Sequence, residues 1–335
     1  MTGLSAGKLR SLRRLADPGG FFTMLAVDQR APIMGRIEAV HGRVVDAEVA
    51  AVKRALLAAL APAASAVLCD PIWAYPFGHE LVAPGQGLIV TLEDHRHEDG
   101  PGGRRTRAIP GWSVEKIKRM GADGVKVLAY YRPDAAPEVV VHQQAFVRTV
   151  GAACRRFDLP FVLELLVHPL AGAAQDPIED PARRAELVLA SVRTFAAPEF
   201  EVDLFKLESP VASAALPDPE AAEATSVQAL FDELGRAAGR PWVLLSAGAT
   251  AADFQRALTF ALRAGASGFL AGRAIWWQAY QHYPDLEAMA TALQADSLPY
   301  LRRLGSITAA QGRPWRGGAM ADAGLDFPRR YGDMG

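Results

Sequence analysis

Short β-like apolar runs alternate with longer, alanine-rich amphipathic stretches along almost the whole of the 335-residue chain. Eight such runs can be read: FFTMLAV (21–27), SAVLC (65–69), GLIVTL (87–92), GVKVLA (124–129), FVLELLV (161–167), VDLFKLE (202–208), WVLLSA (242–247) and SGFLAG (267–272). Between them the spacing predicts helices over 46–60, 113–120, 138–157, 181–194, 222–238 and 252–264, with a last one from 286 to about 304. Ser113 and Thr250 stand where N-caps are wanted, and Gly121 and Gly265 where a left-handed C-cap is wanted. Strand–helix alternation requires a parallel sheet with crossover helices. Eight units without a break in composition predict a (β/α)8 TIM barrel, with a doubly wound open sheet as the alternative. One barrel domain is expected over 1–304. The glycine- and arginine-rich tail, 305–335, is expected either to be partly mobile or to contact a second copy of the chain.

Charge narrows the partners. The formal net charge is −1 and no block of Lys or Arg stands out, which argues against nucleic acid or an anionic membrane surface. A small molecule is the expected ligand. Cys69 and Cys154 lie far apart without metal-ligand spacing, so neither a disulfide nor structural zinc is expected. The stretch MTGLSAGKLRSLRRL has no apolar signal core, and no apolar run is long enough to span a bilayer. These features predict a soluble cytoplasmic protein without disulfides or structural zinc, and nothing in them calls for a cofactor. A homo-oligomer is the expectation for such a barrel.

In a TIM barrel the C-terminal ends of the strands face the catalytic mouth. That filter selects Asp28, Gln29 and Arg30 after the first strand, Asp70 after the second, Lys126 in the fourth and Glu164 in the fifth. It adds Lys206 and Glu208 in the sixth, Ser246 and Gly248 after the seventh, and Gly272 and Arg273 after the eighth. Lys206 is the sharpest anomaly, an ammonium in a run that otherwise reads as dry sheet interior. Two lysines pointing into one barrel should depress at least one pKa, and a neutral amine is a nucleophile for carbonyls. Glu164, on the strand between them, can reach both and move protons. The set suggests imine chemistry, although buried Lys–Glu pairs also occur with no catalytic role.

The glycines of LLSAGAT and FLAGRAIW, with Arg273, suit an anion site built from backbone N–H groups and a guanidinium. Read blandly, they only make tight turns. Long connections at 93–112, 168–180 and 209–221 each follow a strand and so belong to the mouth. His95 and His97, in EDHRHEDG, lack a third fixed ligand and read as surface histidines. Arg105 and Arg107 could contact a distal anion or remain solvated. His168 is placed to act behind the site or to pack, Trp276 and Trp277 to pack at the barrel edge, and Cys69 to be a small buried hydrophobe.

The segments GGFFTMLAVDQRAP, GADGVKVLAYY, LPFVLELL, VDLFKLESP, PWVLLSAGAT and GASGFLAGRAIW together resemble the class I tagatose-1,6-bisphosphate aldolases and the related sulfofructose-phosphate aldolases. The resemblance runs in order from about Gly19 to Trp277. It implies a metal-independent Schiff-base aldolase with Lys206 as imine former, Lys126 as second lysine and Glu164 as acid/base. Asp28 and Gln29 would lie near the reacting carbons, and Ser246, Gly248, Gly272 and Arg273 in the anion-binding loops. By the same resemblance Lys126 would keep Lys206 deprotonated. LAVDQR and GASGFLAGRA look closer to the sulfofructose enzymes, whereas CDP, LSAGA and GRPW look closer to the tagatose enzymes. The expected reaction is therefore cleavage of tagatose 1,6-bisphosphate to dihydroxyacetone phosphate and glyceraldehyde 3-phosphate. Cleavage of 6-deoxy-6-sulfofructose 1-phosphate to sulfolactaldehyde is one alternative, and a regulatory phosphosugar-binding barrel with little turnover is another.

Overall fold

In the computed structural model, which describes residues 3–100, 102–170, 176–321 and 323–331, all eight apolar runs become strands of one closed parallel barrel. They are β1 (Phe22–Ala26), β2 (Ala66–Cys69), β3 (Gly87–Thr91), β4 (Gly124–Tyr130), β5 (Phe161–Leu166), β6 (Leu204–Leu207), β7 (Trp242–Leu244) and β8 (Gly268–Ala271). Each pairs with its neighbours in chain order, and β8 closes the ring against β1. The punctuation holds as well. Ser113 accepts from the Lys116 N–H and Thr250 from the Asp253 N–H, while Gly121 and Gly265 take φ of 88° and 89° after their helices.

Alternation along the strands sorts the interior into two shells. Odd-numbered residues of β1 and β2, such as Leu25, Val27, Val67 and Cys69, pack outward against the helices. Even-numbered ones, Phe22, Met24, Ala26, Ala66 and Leu68, join Ile89, Val162, Leu204, Val243 and Leu270 in a dry plug inside the lower barrel. Leu12 and Leu15 of the helix Ala6–Leu15 close that plug from below. Continuing the same parity upward replaces apolar side chains by Asp28, Thr91, Glu93, Lys126, Glu164 and Lys206, all buried. The barrel is thus apolar at its N-terminal end and ionisable at its C-terminal end.

The chain's end completes the floor. The predicted last helix is instead a helix from Leu286 to Ala292, a wide turn over Leu293–Ser297, and a helix from Leu298 to Gln311. Pro299, which has no N–H to donate, sits in the first turn of the later helix, where none is needed. Beyond it the Trp315 N–H bonds to the Gly20 carbonyl, its ring meets Phe22 at 5.9 Å, and Met320 pairs with Leu4. Residues 312–321 therefore pack under their own barrel. No helix among the described residues is long and apolar enough to cross a membrane.

Candidate active site

The centre of the mouth is a chain of charges on adjacent strands. Register sets Thr91 beside Lys126 and Glu164 beside Lys206. Lys206 Nζ lies 2.9 Å from Glu164 Oε2, and Lys126 Nζ reaches that same oxygen at 2.8 Å. Lys126 also meets Asp28 Oδ2 at 2.9 Å and Glu93 Oε1 at 2.7 Å. Thr91 donates to Asp28, and Arg30 donates to both the carbonyl and the carboxylate of Glu93. Lys206, Glu164, Lys126 and Asp28, expected from separate strands, are thereby brought within hydrogen-bond reach of one another.

Two residues of this network, Thr91 and Glu93, were not among the expected site residues. Their signal was parity, since Ile89 faces the lower barrel and 91 and 93 continue its face. Glu93 lay one residue past the apolar run and was counted with the loop.

Electrostatics gives Lys126 a defined role. Burial alone would lower the Lys126 pKa, but Asp28, Glu164 and Glu93 outweigh it and hold that amine well above its ordinary value. Lys126 is a fixed cation. Burial opposes ionisation of Glu164 too, yet Lys126 and Lys206 bring its pKa below the usual value. Asp28 is likewise held below its usual value, by Lys126, Lys206 and Arg30 against burial. Glu93, the most enclosed of the three, is raised by burial in spite of Lys126 and Arg30.

The loops after β7 and β8 form the second part of the mouth. Gly248 has φ 83°, and a Cβ there would stand 3.0 Å from Arg273 Nη1, so the guanidinium lies directly over this turn. Gly272 begins the helix Arg273–Tyr280, and a Cβ there would meet the Ala26 carbonyl at 2.5 Å and Gln29 Nε2 at 2.6 Å. Ser246 is buried beside them, and Gln29 Oε1 is buried with no partner among the described residues. Ser246, Gly248, Gly272, Arg273 and Gln29 thus gather on the β7–β8–β1 side, next to the strand that carries Lys206.

Comparison with known proteins supplies the family. Residues 22–278 match the DeoC/LacD family aldolase description. The chain belongs to the DeoC/LacD family of aldolases. It is an aldolase, a carbon–carbon lyase, as the resemblance implied. A protein from Enterococcus faecalis named tagatose 1,6-diphosphate aldolase 2 is 31% identical over 340 residues, covering 97% of this chain and 100% of the relative. One of the same name from Streptococcus mutans is 30% identical, covering 93% and 97%. Among solved structures, a fructose-bisphosphate aldolase from Plasmodium falciparum superimposes with a TM-score of 0.65 at 14% identity, covering 94% of this chain and 98% of the other. A Schiff-base-forming fructose-1,6-bisphosphate aldolase gives 0.58 at 18%, covering 90% and 99%. Both share the barrel.

Several expected site residues of this aldolase have other occupations. Asp70 is fully buried. Its Oδ1 accepts from the Ile72 and Trp73 N–H groups, and its Oδ2 accepts from the Ala74 N–H and from Lys53 Nζ at 2.6 Å. With both oxygens met by protein donors it fastens the β2 loop. Glu208 shares a face with Lys206 but bonds to the Val167 N–H and to Arg184. Arg107 pairs with Asp94 and Glu98. It is the neighbouring Arg104, not singled out in the sequence, that covers a mouth residue, lying 4.7 Å from the centre of the Tyr130 ring. His95 pairs with Asp94, whereas His97 and His168 both pack edge-on against Tyr130 and so belong to the mouth. Trp276 packs in the barrel wall and donates to the Ala26 carbonyl. Cys69 and Cys154 are free and buried, their thiol pKa values pushed up by burial.

Proposed function

We propose that the protein is a class I aldolase that cleaves a ketohexose 1-phosphate bearing a second anion, with tagatose 1,6-bisphosphate the preferred substrate. The observation that carries this is the sharing of one Glu164 oxygen by Lys206 and Lys126, at 2.9 and 2.8 Å. The names of the relatives from Enterococcus and Streptococcus support the choice of sugar.

The steps follow from the side chains. The neutral amine of Lys206 attacks the C2 carbonyl, and loss of water from the carbinolamine gives an iminium. Lys126, kept protonated by three carboxylates, donates to the carbinolamine oxygen as it leaves. Glu164, held as a carboxylate between two cations, takes the C4 hydroxyl proton. The C3–C4 bond breaks, its electron pair passes into the iminium to form an enamine, and the aldehyde half departs. Glu164 returns that proton to C3 of the enamine, and addition of water to the resulting iminium, with a proton passing back to Lys126, releases dihydroxyacetone phosphate and restores the amine. Ser246, the Gly248 and Gly272 turns and Arg273 hold the C1 phosphate. Asp28 and Gln29 lie where the substrate hydroxyls pass.

Borohydride reduction in the presence of dihydroxyacetone phosphate tests the nucleophile. A mass adduct on Lys206, lost in Lys206→Ala, is the expected result. The absence of an adduct, or an equal adduct in the variant, rules out the imine. Steady-state turnover of the bisphosphate separates a catalyst from a regulatory binding barrel.

A further inference from the structure

The proximal half of the site lies at β6, β7 and β8. In the closed ring, β7 stands four strands from β3 and β8 four strands from β4, so the ends of β3 and β4 face the anion loops across the mouth. A six-carbon chain held at C1 by Arg273 and at C2 by Lys206 must therefore run past Glu164 toward the β3–β4 side. What stands there is a compact group on three elements. Tyr130 is the last residue of β4, and His168 follows β5. His97 and Arg104 come from the arm after β3, whose strands Glu98–Gly100 and Gly103–Arg105 form an antiparallel hairpin.

The group is built, not incidental. Tyr130 sits between the two imidazoles, with ring centres 4.7 Å from His97 and 5.1 Å from His168. Arg104 lies over the tyrosine, its guanidinium carbon 4.7 Å from the ring centre. Asp99 takes Arg104 Nε at 2.6 Å and so fixes the guanidinium. The arm itself is pinned to the helix Pro137–Arg156. The Ala136 N–H bonds to the Gly102 carbonyl at 2.9 Å, and Gln143 Oε1 accepts from the Thr106 N–H at 2.8 Å.

Two polar atoms in this group lack partners. Nδ1 of His168, on a side chain only 7% exposed, and Nδ1 of His97 are buried with no hydrogen-bond partner among the described residues. Buried polar groups without partners are uncommon in folded proteins, and they are the atoms a bound ligand satisfies. Both imidazoles are neutral at pH 7: burial, then the charge of Arg104, lowers each pKa to about 4. A neutral imidazole with its proton on Nδ1 donates one hydrogen bond to an oxyanion and adds no charge.

We propose that Arg104, His97 and His168, set around Tyr130, form the subsite for the oxyanion on C6 of the substrate. This rests on the aldolase reading for the direction of the sugar chain. The group is a tetrahedral oxyanion, a phosphate or a sulfonate. The subsite sets specificity by rewarding the second anion, while the chemistry stays at Lys206.

Calorimetry with carbonyl-free analogues isolates this step, because a hexitol cannot form an imine. The ligands are hexitol 1-phosphate, hexitol 1,6-bisphosphate and 6-deoxy-6-sulfohexitol 1-phosphate. The wild type is expected to bind at least one doubly anionic ligand roughly tenfold or more tighter than the monophosphate, as suits charge-assisted hydrogen bonds. The favoured ligand identifies the distal group. Arg104→Gln and His168→Asn should abolish the preference and leave hexitol 1-phosphate binding unchanged, which also reports that each variant is folded. No preference in the wild type, a preference that survives both variants, or equal weakening of all three ligands overturns the subsite. Should the preference behave as expected while borohydride traps nothing on Lys206, the imine fails and the subsite stands.

Discussion

Two buried lysines on the mouth side of this barrel have opposite surroundings. Lys53 is completely enclosed, and its three donors go to the carbonyls of Val27 and Gln29 and to Asp70. Asp70 in turn receives three backbone N–H groups, so every polar atom of this pair is committed within the protein. Lys206 is hardly more exposed, yet its Nζ has one side-chain partner among the described residues, Glu164, which it must share with Lys126. Burial alone therefore does not distinguish a reactive lysine from a structural one. Unused hydrogen-bonding capacity does. The closed pair ties β1 to the β2 loop, and the open pair, in the mechanism we propose, would exchange a protein contact for a substrate carbonyl.

The sharpest way to break this comparison is to remove each lysine's function in turn. Lys206→Ala should lower kcat/KM for the bisphosphate by at least roughly 10^4-fold, as for other covalent nucleophiles. Its melting temperature should stay close to that of the wild type, because Glu164 keeps Lys126 as a partner. A large fall in melting temperature would place Lys206 with Lys53 among the structural lysines. Glu164→Gln should reduce cleavage by about 10^2 to 10^4-fold, the range of a lost general base. The borohydride adduct with dihydroxyacetone phosphate should still form in that variant, since it requires no proton from a C4 hydroxyl. Loss of the adduct together with cleavage would show that Glu164 acts on the amine itself.

Asp70→Asn addresses the closed pair. It leaves the Lys53 charge buried without a carboxylate, a change that typically costs about 3 to 5 kcal/mol. Urea unfolding should show that loss, and the variant below its melting point should still form the Lys206 adduct. Full stability with impaired substrate binding would return Asp70 to the substrate contacts.

The strands, and the four central residues Lys206, Glu164, Lys126 and Asp28, were legible because period-two alternation decides both. A buried parallel strand is apolar throughout, so any charge on it marks the inward face of the mouth. Partnership was not legible. Asp70 and Asp28 occupy the same kind of position after β2 and β1, and only the fold shows that Lys53, seventeen residues before Asp70, takes one of them. Arg104 and Arg105 differ by one residue in a hairpin with no apolar pattern to set its register, so the sequence offered no way to choose between them. The short distance from Lys126 to three carboxylates likewise depends on barrel stagger, so its raised pKa could not be read from the sequence.

Glu208 lies between the two kinds of pair and sharpens the distinction. It sits two residues after Lys206 and is nearly as buried as Asp70, but among the described residues it receives the Val167 N–H and Arg184 alone. Burial accordingly outweighs Arg184 and raises its pKa from 4.5 to about 7. Between those two values the folded chain holds a proton at this site that the unfolded chain has released. The folded state then binds more protons than the unfolded state, so this group's contribution to stability is greatest at low pH and falls as pH rises to about 7. Glu208→Gln removes the titration and leaves only a pH-independent offset from the altered Arg184 contact. Unfolding free energies measured in urea from pH 5 to pH 8 should show the wild type losing roughly 1 to 3 kcal/mol relative to the variant across that range. A difference that stays flat would mean that Glu208 is ionised throughout. In that case two donors would suffice to close a buried pair, and the four donors around Asp70 would no longer explain why it differs from Glu164.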